Sequence, residues 1–212
     1  MGHYPIDNSD VPIRLFKSDF LEFFSHISPI AIIIIWSPVI VYFIYRSFLI
    51  RPAGGSLWYI PAGFLIGLFL WTLAEYTLHR FVFHYPAKSP RGQRITFLFH
   101  GIHHAQPQCK TRLVMPPAVG IPLAALFFGL FYLVTVVIMK MPYWLNPLFS
   151  AFLIGYLIYD LGHYAQHHLP MRKGYLRYIK RYHMQHHYKT PNQRFGVSSP
   201  LWDFVFGTKP AD

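Results

Sequence analysis

The stretch MPYWLNPLFSAFLIGYLIYDLGHYAQHH, residues 141–168, combines a membrane-spanning pattern with a metal-binding pattern. Its first 19 residues, 141–159, carry no charged side chain, and about 20 apolar residues in a helix cross the hydrocarbon core of a bilayer. Asp160 ends the apolar run, and His163 and His167 follow it four positions apart. Because helical residues four positions apart share a face, the stretch predicts a transmembrane helix that presents imidazoles at one end.

Three further apolar runs accompany this one. They lie at residues 27–45, 57–74 and 113–139, and none of them contains a charged side chain. Lys140 alone separates the last two runs of the chain, so the turn between them must be tight. The sequence therefore predicts an all-α integral membrane protein. Its four transmembrane helices are expected at about residues 27–45, 57–78, 117–139 and 142–162.

The composition supports a lipid environment. Charged residues make up only 13% of the 212 residues and hydrophobic residues 53%, whereas soluble domains carry about 25% charged residues. The net charge of +11 does not indicate nucleic-acid binding, because no soluble domain remains to carry a basic face. We expect one domain over residues 1–212, in which segments 79–112 and 163–212 form a helical cap.

Lys and Arg are distributed unevenly between the two sides of the predicted helices. With the N-terminus on the inner side, 16 of the 19 Lys and Arg residues fall in inner segments and 3 in outer loops. Cytoplasmic loops carry the excess of Lys and Arg. We therefore expect both termini and the cap to be cytosolic, at the endoplasmic reticulum in a eukaryote and at the inner membrane in a bacterium.

Histidine is the most informative residue type, since 11 of the 13 histidines fall into four clusters near the cytosolic ends of the second and fourth predicted helices. Imidazole is a ligand for Fe, Zn, Cu and Ni. One such ion rarely takes more than about six ligands, so this number of histidines predicts a di-metal site. The predicted ligands are His79, His84, His100, His103, His104, His163, His167, His168, His183, His186 and His187.

The spacing within the clusters suits helices. The HGIHH and HMQHH clusters contain histidines three and four positions apart, so each is expected to present its imidazoles on one helical face. His79 and His84 are five positions apart and do not share a face of an ideal helix. We expect the helix to end or distort between them, close to Pro86. His3 and His26 lie outside the clusters and are not assigned.

Two of the eight acidic residues lie inside or at the edge of predicted helices. Glu75 precedes His79 by four positions, and Asp160 precedes His163 by three. Ionisable groups at membrane depth are usually functional, and a ligating histidine normally donates its second ring N–H to a carboxylate or carbonyl. Glu75 and Asp160 are predicted to orient histidines, with a helix-end ion pair as the alternative. The scarcity of carboxylates argues against the Glu-rich di-iron bundle of ferritin type.

With these features in place, the chain resembles the fatty acid hydroxylase / sterol desaturase superfamily of membrane di-iron enzymes. Within it, the chain is most similar to the fatty acid (sphingolipid) 2-hydroxylases. The resemblance covers almost the whole chain, and the four histidine clusters occur in the order and spacing of the family. The matching stretches are EYTLHRFVFH at 75–84, FHGIHH at 99–104, RLVMPP at 112–117, GYLIYDLGHYAQHH at 155–168, YHMQHHYK at 182–189 and RFGVSSPLWDFVFGT at 194–208.

The resemblance implies a monooxygenase that uses O2 to hydroxylate a long acyl chain, at carbon 2 of a fatty acid or of a sphingolipid N-acyl chain. It implies two Fe ions held by histidines, a ligand set that zinc would also fit, and no catalytic side chains beyond the metal ligands. Many eukaryotic 2-hydroxylases begin with a fused cytochrome b5 domain, for which this chain has no room. We therefore expect a separate electron donor such as cytochrome b5, a ferredoxin or a reductase.

Several alternatives remain at this stage. A sterol or carotenoid hydroxylase or desaturase of the same superfamily would share the metal ligands. A membrane metal transporter would place its ligands near mid-bilayer, and a haem-binding electron carrier would need a few facing axial histidines within spans. Three tyrosines, Tyr156, Tyr159 and Tyr164, lie towards the histidine-bearing end of the fourth predicted helix. They are expected either to pack in the core or to contact the acyl substrate.

Overall fold

A computed structural model of the chain describes residues 5–210, so His3 lies outside the described residues. All regular structure in this range is helical, which confirms the all-α prediction. The α-helices are α1 (Asp19–Phe23), α2 (Pro29–Leu49), α3 (Tyr59–Thr77), α4 (Pro90–Thr96), α5 (Ile102–Ala105), α6 (Pro117–Tyr132), α7 (Leu145–His168), α8 (Gly174–Tyr188) and α9 (Leu201–Val205). Helical segments of π type cover Leu78–Phe83, Phe97–Gly101 and Leu133–Ile138, and segments of 3-10 type cover Lys110–Arg112 and Pro142–Trp144.

Four helical stretches are long and apolar enough to cross a membrane, as predicted. They are Pro29–Leu49, Tyr59–Phe83, Lys110–Ile138 and Pro142–His168. Of the 18 most apolar consecutive residues in each stretch, 72% are buried in the fourth stretch and only 11% in the third. The fourth therefore packs against protein over most of its length, whereas the third turns most of its apolar surface outward, as a lipid-facing helix does.

The chain divides into two compact units. One is formed by the N-terminal segment up to Pro29, by Thr72–Met115 and by the chain from Tyr159 onward; the other is formed by Ile30–Trp71 and Pro116–Ile158. We call them the histidine unit and the apolar unit, because all eleven clustered histidines belong to the first.

The apolar unit is held together by close helix contacts and aromatic packing. A Cβ atom on Gly67 would lie 2.3 Å from the carbonyl oxygen of Leu148, so only glycine allows this backbone approach. The Tyr59 hydroxyl donates to the carbonyl of Ser47 at 2.5 Å and closes the turn between α2 and α3. Tyr156 is buried in this unit, with its ring edge-on to Trp36.

In the histidine unit, the N-terminal segment is tied to the stretch that follows α5. The buried side chain of Gln106 accepts from the backbone N–H of Ile13 at 2.9 Å and donates to the carbonyl of Val11 at 2.9 Å. Glu22 accepts from Arg112 at 2.5 Å. His26 contacts both of these charged groups, at 3.1 Å and 3.0 Å. His26, unassigned from sequence, thus belongs to this ionic contact.

Candidate metal centre

Ten buried histidines form two groups of five, and within each group the facing ring nitrogens lie within 4.8 Å of one another. Each group therefore offers five imidazole nitrogens around one point. Group A consists of His79, His84, His100, His104 and His186. Group B consists of His103, His163, His167, His183 and His187.

The two groups follow one plan: each combines two pairs of histidines with one single histidine. Group B takes the pairs 163/167 and 183/187, whose spacing of four positions aligns them on one face of α7 and of α8. Its single histidine is His103. Group A takes the pairs 79/84 and 100/104, and its single histidine is His186. The HGIHH and HMQHH clusters, each expected to present one face, are therefore divided between the two groups.

A π-helical turn accounts for the pair that does not fit an α-helix. Residues Leu78–Phe83 form this turn, and the backbone N–H of His84 donates to the carbonyl of His79 at 3.0 Å. The wider turn aligns residues five positions apart, and such turns occur often at functional sites. The expected distortion between His79 and His84 is confirmed, and its consequence is that both side chains reach group A.

Ring nitrogens face each other closely inside each group. In group A, Nε2 of His186 lies 3.1 Å from Nε2 of His84 and 3.2 Å from Nε2 of His104. In group B, Nε2 of His163 lies 2.9 Å from Nε2 of His103. Several neutral nitrogen donors converging at this spacing suit a transition-metal ion, so the residues present fit one metal ion in each group.

The histidines outside the membrane-spanning segments are held in the form that ligates metal. Burial, reinforced by repulsion from neighbouring histidines, lowers the pKa of these imidazoles far below the ordinary value. The residues concerned are His84, His100, His103, His104, His183 and His187. Burial also lowers the pKa of His186 to about 4, although its bond to a carbonyl and the charge of Asp203 act in the opposite direction. Neutral imidazole is the ligating species.

Two histidines of group A are oriented by backbone carbonyls of one loop. His79 donates through Nδ1 to the carbonyl of Phe195 at 2.5 Å, and His186 donates through Nδ1 to the carbonyl of Gln193 at 2.6 Å. Because a carbonyl can only accept, Nδ1 carries the proton in both rings and the Nε2 lone pair faces the group. We call residues 193–198, which supply these acceptors, the C-terminal loop.

The two predicted carboxylates are buried, and both accept from backbone N–H groups; Glu75 also accepts from the hydroxyl of Ser198. Glu75 accepts from Val197 at 2.7 Å and from Ser198 at 2.8 Å, so it holds the C-terminal loop. Asp160 accepts from the N–H of Met115 at 3.1 Å with both of its oxygens. Glu75 is thereby connected to His79 through the loop.

Asp203 is a residue of this site that the sequence reasoning missed. It is fully buried and accepts from the N–H groups of Phe195 and Gly196 at 2.9 Å and 2.8 Å. The signal that was available is an acidic residue between aromatic neighbours, in LWDFVF at 201–206, in a chain with only eight acidic residues.

The remaining predicted site residues lie outside the two groups. His168 is partly buried, and its ring lies 4.6 Å from that of Tyr164. Tyr159 is buried, and its ring stacks on that of His163 at 5.8 Å. Tyr156 belongs to the apolar unit, where it packs against tryptophan. A ligand role for His168 and substrate contacts for the three tyrosines remain predictions.

Comparison with known proteins agrees with this geometry. A family model described as fatty acid hydroxylase matches residues 64–208, the part of the chain that holds every histidine of both groups. A solved structure of full-length scs7p, in which only the hydroxylase domain is visible, superposes with a TM-score of 0.81 and 36% sequence identity. The match covers 91% of this chain and 70% of that chain.

Curated relatives extend the match over nearly the whole chain. The dihydroceramide fatty acyl 2-hydroxylase FAH1 of Arabidopsis thaliana is 38% identical over 208 residues, which are 98% of this chain and 84% of that protein. The human fatty acid 2-hydroxylase is 34% identical over 97% of this chain and 58% of its own length. The chain belongs to the fatty acid hydroxylase family.

Proposed function

We propose that the protein is a membrane di-metal monooxygenase that hydroxylates a long acyl chain at carbon 2, on a fatty acid or on the N-acyl chain of a sphingolipid. The observation that carries this proposal is the pair of five-histidine groups, buried in one unit of a chain with four apolar helices. The relatives named as fatty acyl 2-hydroxylases support the substrate class and the carbon attacked.

The metal proposed for both groups is iron, with zinc as an ion that the same nitrogen ligands accept. Bound iron would supply activation of O2, with electrons from a donor. The chain itself holds neutral imidazoles in place, orients two of them through carbonyls, and keeps bulk water away, since all ten histidines are buried. We propose these ten as the metal ligands and retain His168 as an eleventh candidate.

The proposed substrate contacts are the tyrosines on α7. Tyr159 stacks on a histidine of group B, so an acyl chain that reached this imidazole would also meet that ring. Tyr164 and Tyr156 are weaker candidates, because their described contacts are with His168 and with tryptophan. An acyl carbon close to the headgroup is the part of a lipid nearest to a metal site at the membrane surface.

We propose that both termini and the histidine-bearing segments 79–112 and 163–212 face the cytosol, on the basis of the uneven distribution of Lys and Arg. A separate cytosolic donor, such as cytochrome b5, a ferredoxin or a reductase, would then reach the site. Single cysteines introduced at positions 48 and 190 should react with impermeant reagents from opposite sides of sealed membranes. Labelling of both positions from one side would contradict this orientation.

Expression in a host that lacks hydroxylated lipids tests the proposed reaction. Lipid mass spectrometry should detect new 2-hydroxy acyl chains in cells with the wild-type protein and none in cells with His183→Ala, a variant of group B. Hydroxysterols, hydroxycarotenoids or new alkenes in the wild-type cells would instead assign the protein to another activity of the superfamily. Unchanged lipids, in membranes that contain folded protein and a donor system, would contradict the proposal.

A further inference from the structure

The two metal positions differ in what lies behind their ligands. The C-terminal loop supplies acceptors for His79 and His186, and both of these histidines belong to group A. Four histidines of group B (His103, His167, His183 and His187) and one of group A (His84) have a buried Nδ1 that makes no hydrogen bond with any residue between 5 and 210. Support from this loop is therefore a property of group A.

Two carboxylates hold the C-terminal loop by four consecutive N–H groups. Asp203 accepts from Phe195 and Gly196, and Glu75 accepts from the next two residues. Charge-assisted bonds of this kind are roughly twice as strong as neutral ones. Asp203 determines the direction of the Phe195 carbonyl, because the N–H groups of Phe195 and Gly196, on either side of that carbonyl, both donate to its carboxylate.

The backbone around these bonds tolerates little change. A Cβ atom on Gly196 would lie 2.0 Å from the carbonyl oxygen of Ser199, so the loop requires glycine there. Arg194 has a backbone φ of 60°, which residues other than glycine rarely adopt. Thr208 donates its hydroxyl to Asp203 at 2.6 Å and accepts from the N–H of Arg194 through its carbonyl at 3.0 Å. Asp203 is thus the centre of the contacts that give the loop its shape.

We propose that Asp203 is a positioning residue for group A: it fixes the C-terminal loop that orients His79 and His186, and so determines how tightly one of the two metal positions holds its ion. This inference deepens the proposed function and rests on its two-metal assignment, but not on the substrate or the carbon attacked. A partner behind a ligating histidine fixes ring orientation and raises ligand basicity, and its loss typically weakens metal affinity about 10- to 100-fold.

The test compares the metal content of purified wild-type protein, Asp203→Asn and Glu22→Gln by elemental analysis after dialysis against a chelator. In Asp203→Asn an amide NH2 replaces one accepting oxygen, so at least one bond to the loop is lost. Glu22 is the matched control, because it also accepts from two consecutive N–H groups, those of Leu15 and Phe16, but is not bonded to the C-terminal loop. We expect about two ions per chain in the wild type and the control, and about one in Asp203→Asn.

Double variants identify which ion is lost. If Asp203→Asn empties group A, adding His84→Ala should remove nothing further, whereas adding His167→Ala should leave almost no metal. Retention of two ions in Asp203→Asn, equal loss from both groups, or the same loss in Glu22→Gln would overturn the inference. A wild-type content other than two would overturn the two-metal proposal itself, and this inference with it.

A milder variant covers the case in which Asp203→Asn does not fold. Thr208→Val removes only the hydroxyl that donates to Asp203 and contacts the hydroxyl of Tyr76 at 2.9 Å. This variant should accelerate the loss of one ion to the chelator by less than about 10-fold, because complete loss of the partner behind a ligating histidine costs about 10- to 100-fold. The other ion should be unaffected. Wild-type retention of both ions, or accelerated loss of both, would also overturn the inference.

Discussion

Group A and group B share one arrangement of five histidines and differ in how those histidines are supported. Each group contains two pairs of histidines, four or five positions apart, and one single histidine. The single histidine of each group is the middle histidine of a sequence cluster whose other two histidines belong to the other group. Among residues 5–210, the ring N–H groups that donate to carbonyls of the C-terminal loop, those of His79 and His186, both belong to group A. The chain therefore contains two similar groups of five histidines, of which group A is held in part by the C-terminal loop.

The largest expected effect tests the division of the clusters. His103→Ala and His186→Ala should each lower hydroxylation by more than about 100-fold, which exceeds the effect of substituting the hydrogen-bond partner of a ligating histidine. Each variant should retain about one ion per chain. The double variant His103→Ala/His167→Ala removes two ligands of group B and should still retain one ion. His103→Ala/His104→Ala removes adjacent residues from different groups and should retain almost none. Equal metal contents in the two double variants would contradict the division.

An intermediate effect is expected from the two carboxylates found from sequence. Glu75→Gln and Asp160→Asn should each weaken metal retention or turnover by about 10- to 100-fold while the protein still inserts and folds. Glu75 holds the C-terminal loop, so its substitution should release the ion of group A first. Metal content and turnover, measured on the same preparations, check both variants. Wild-type values in both would show that these carboxylates hold the backbone without influencing the metal ions.

The smallest effect is expected at His168, which lies outside both groups. His168→Ala should retain both ions and change turnover by less than about threefold, as a substitution away from a structural determinant does. Loss of one ion would restore His168 as a ligand, as the sequence pattern predicts. Tyr164→Phe provides the control for the ring contact between these two side chains.

Much of this architecture follows from local sequence rules. The four apolar stretches, the all-α class and the histidines later found in both groups are visible as runs without charge and as spacings of three and four residues. The distortion at His79 and His84 could also be predicted, because a spacing of five positions does not fit an α-helix.

The rest depends on contacts between segments far apart in the chain. The spacing shows that His103 can share a face with its neighbours, but only the packing of α7 and α8 against it shows that it belongs to group B. Asp203 acts on backbone N–H groups of a loop, and such contacts leave no periodic signal in the sequence. The carbonyls of Phe195 and Gln193 are invisible to any reading of side-chain types, because every residue carries one.

The carbon that receives oxygen, and the source of that oxygen, decide whether the protein is a carbon-2 monooxygenase. Membranes containing the protein and an electron donor are supplied with an acyl chain deuterated only at carbon 2, under oxygen-18 gas. A carbon-2 monooxygenase should give a product that has lost one deuterium and gained one oxygen-18 atom at that carbon, and the His183→Ala variant should give no product. Oxygen at another carbon, an alkene, or oxygen derived from water would contradict it.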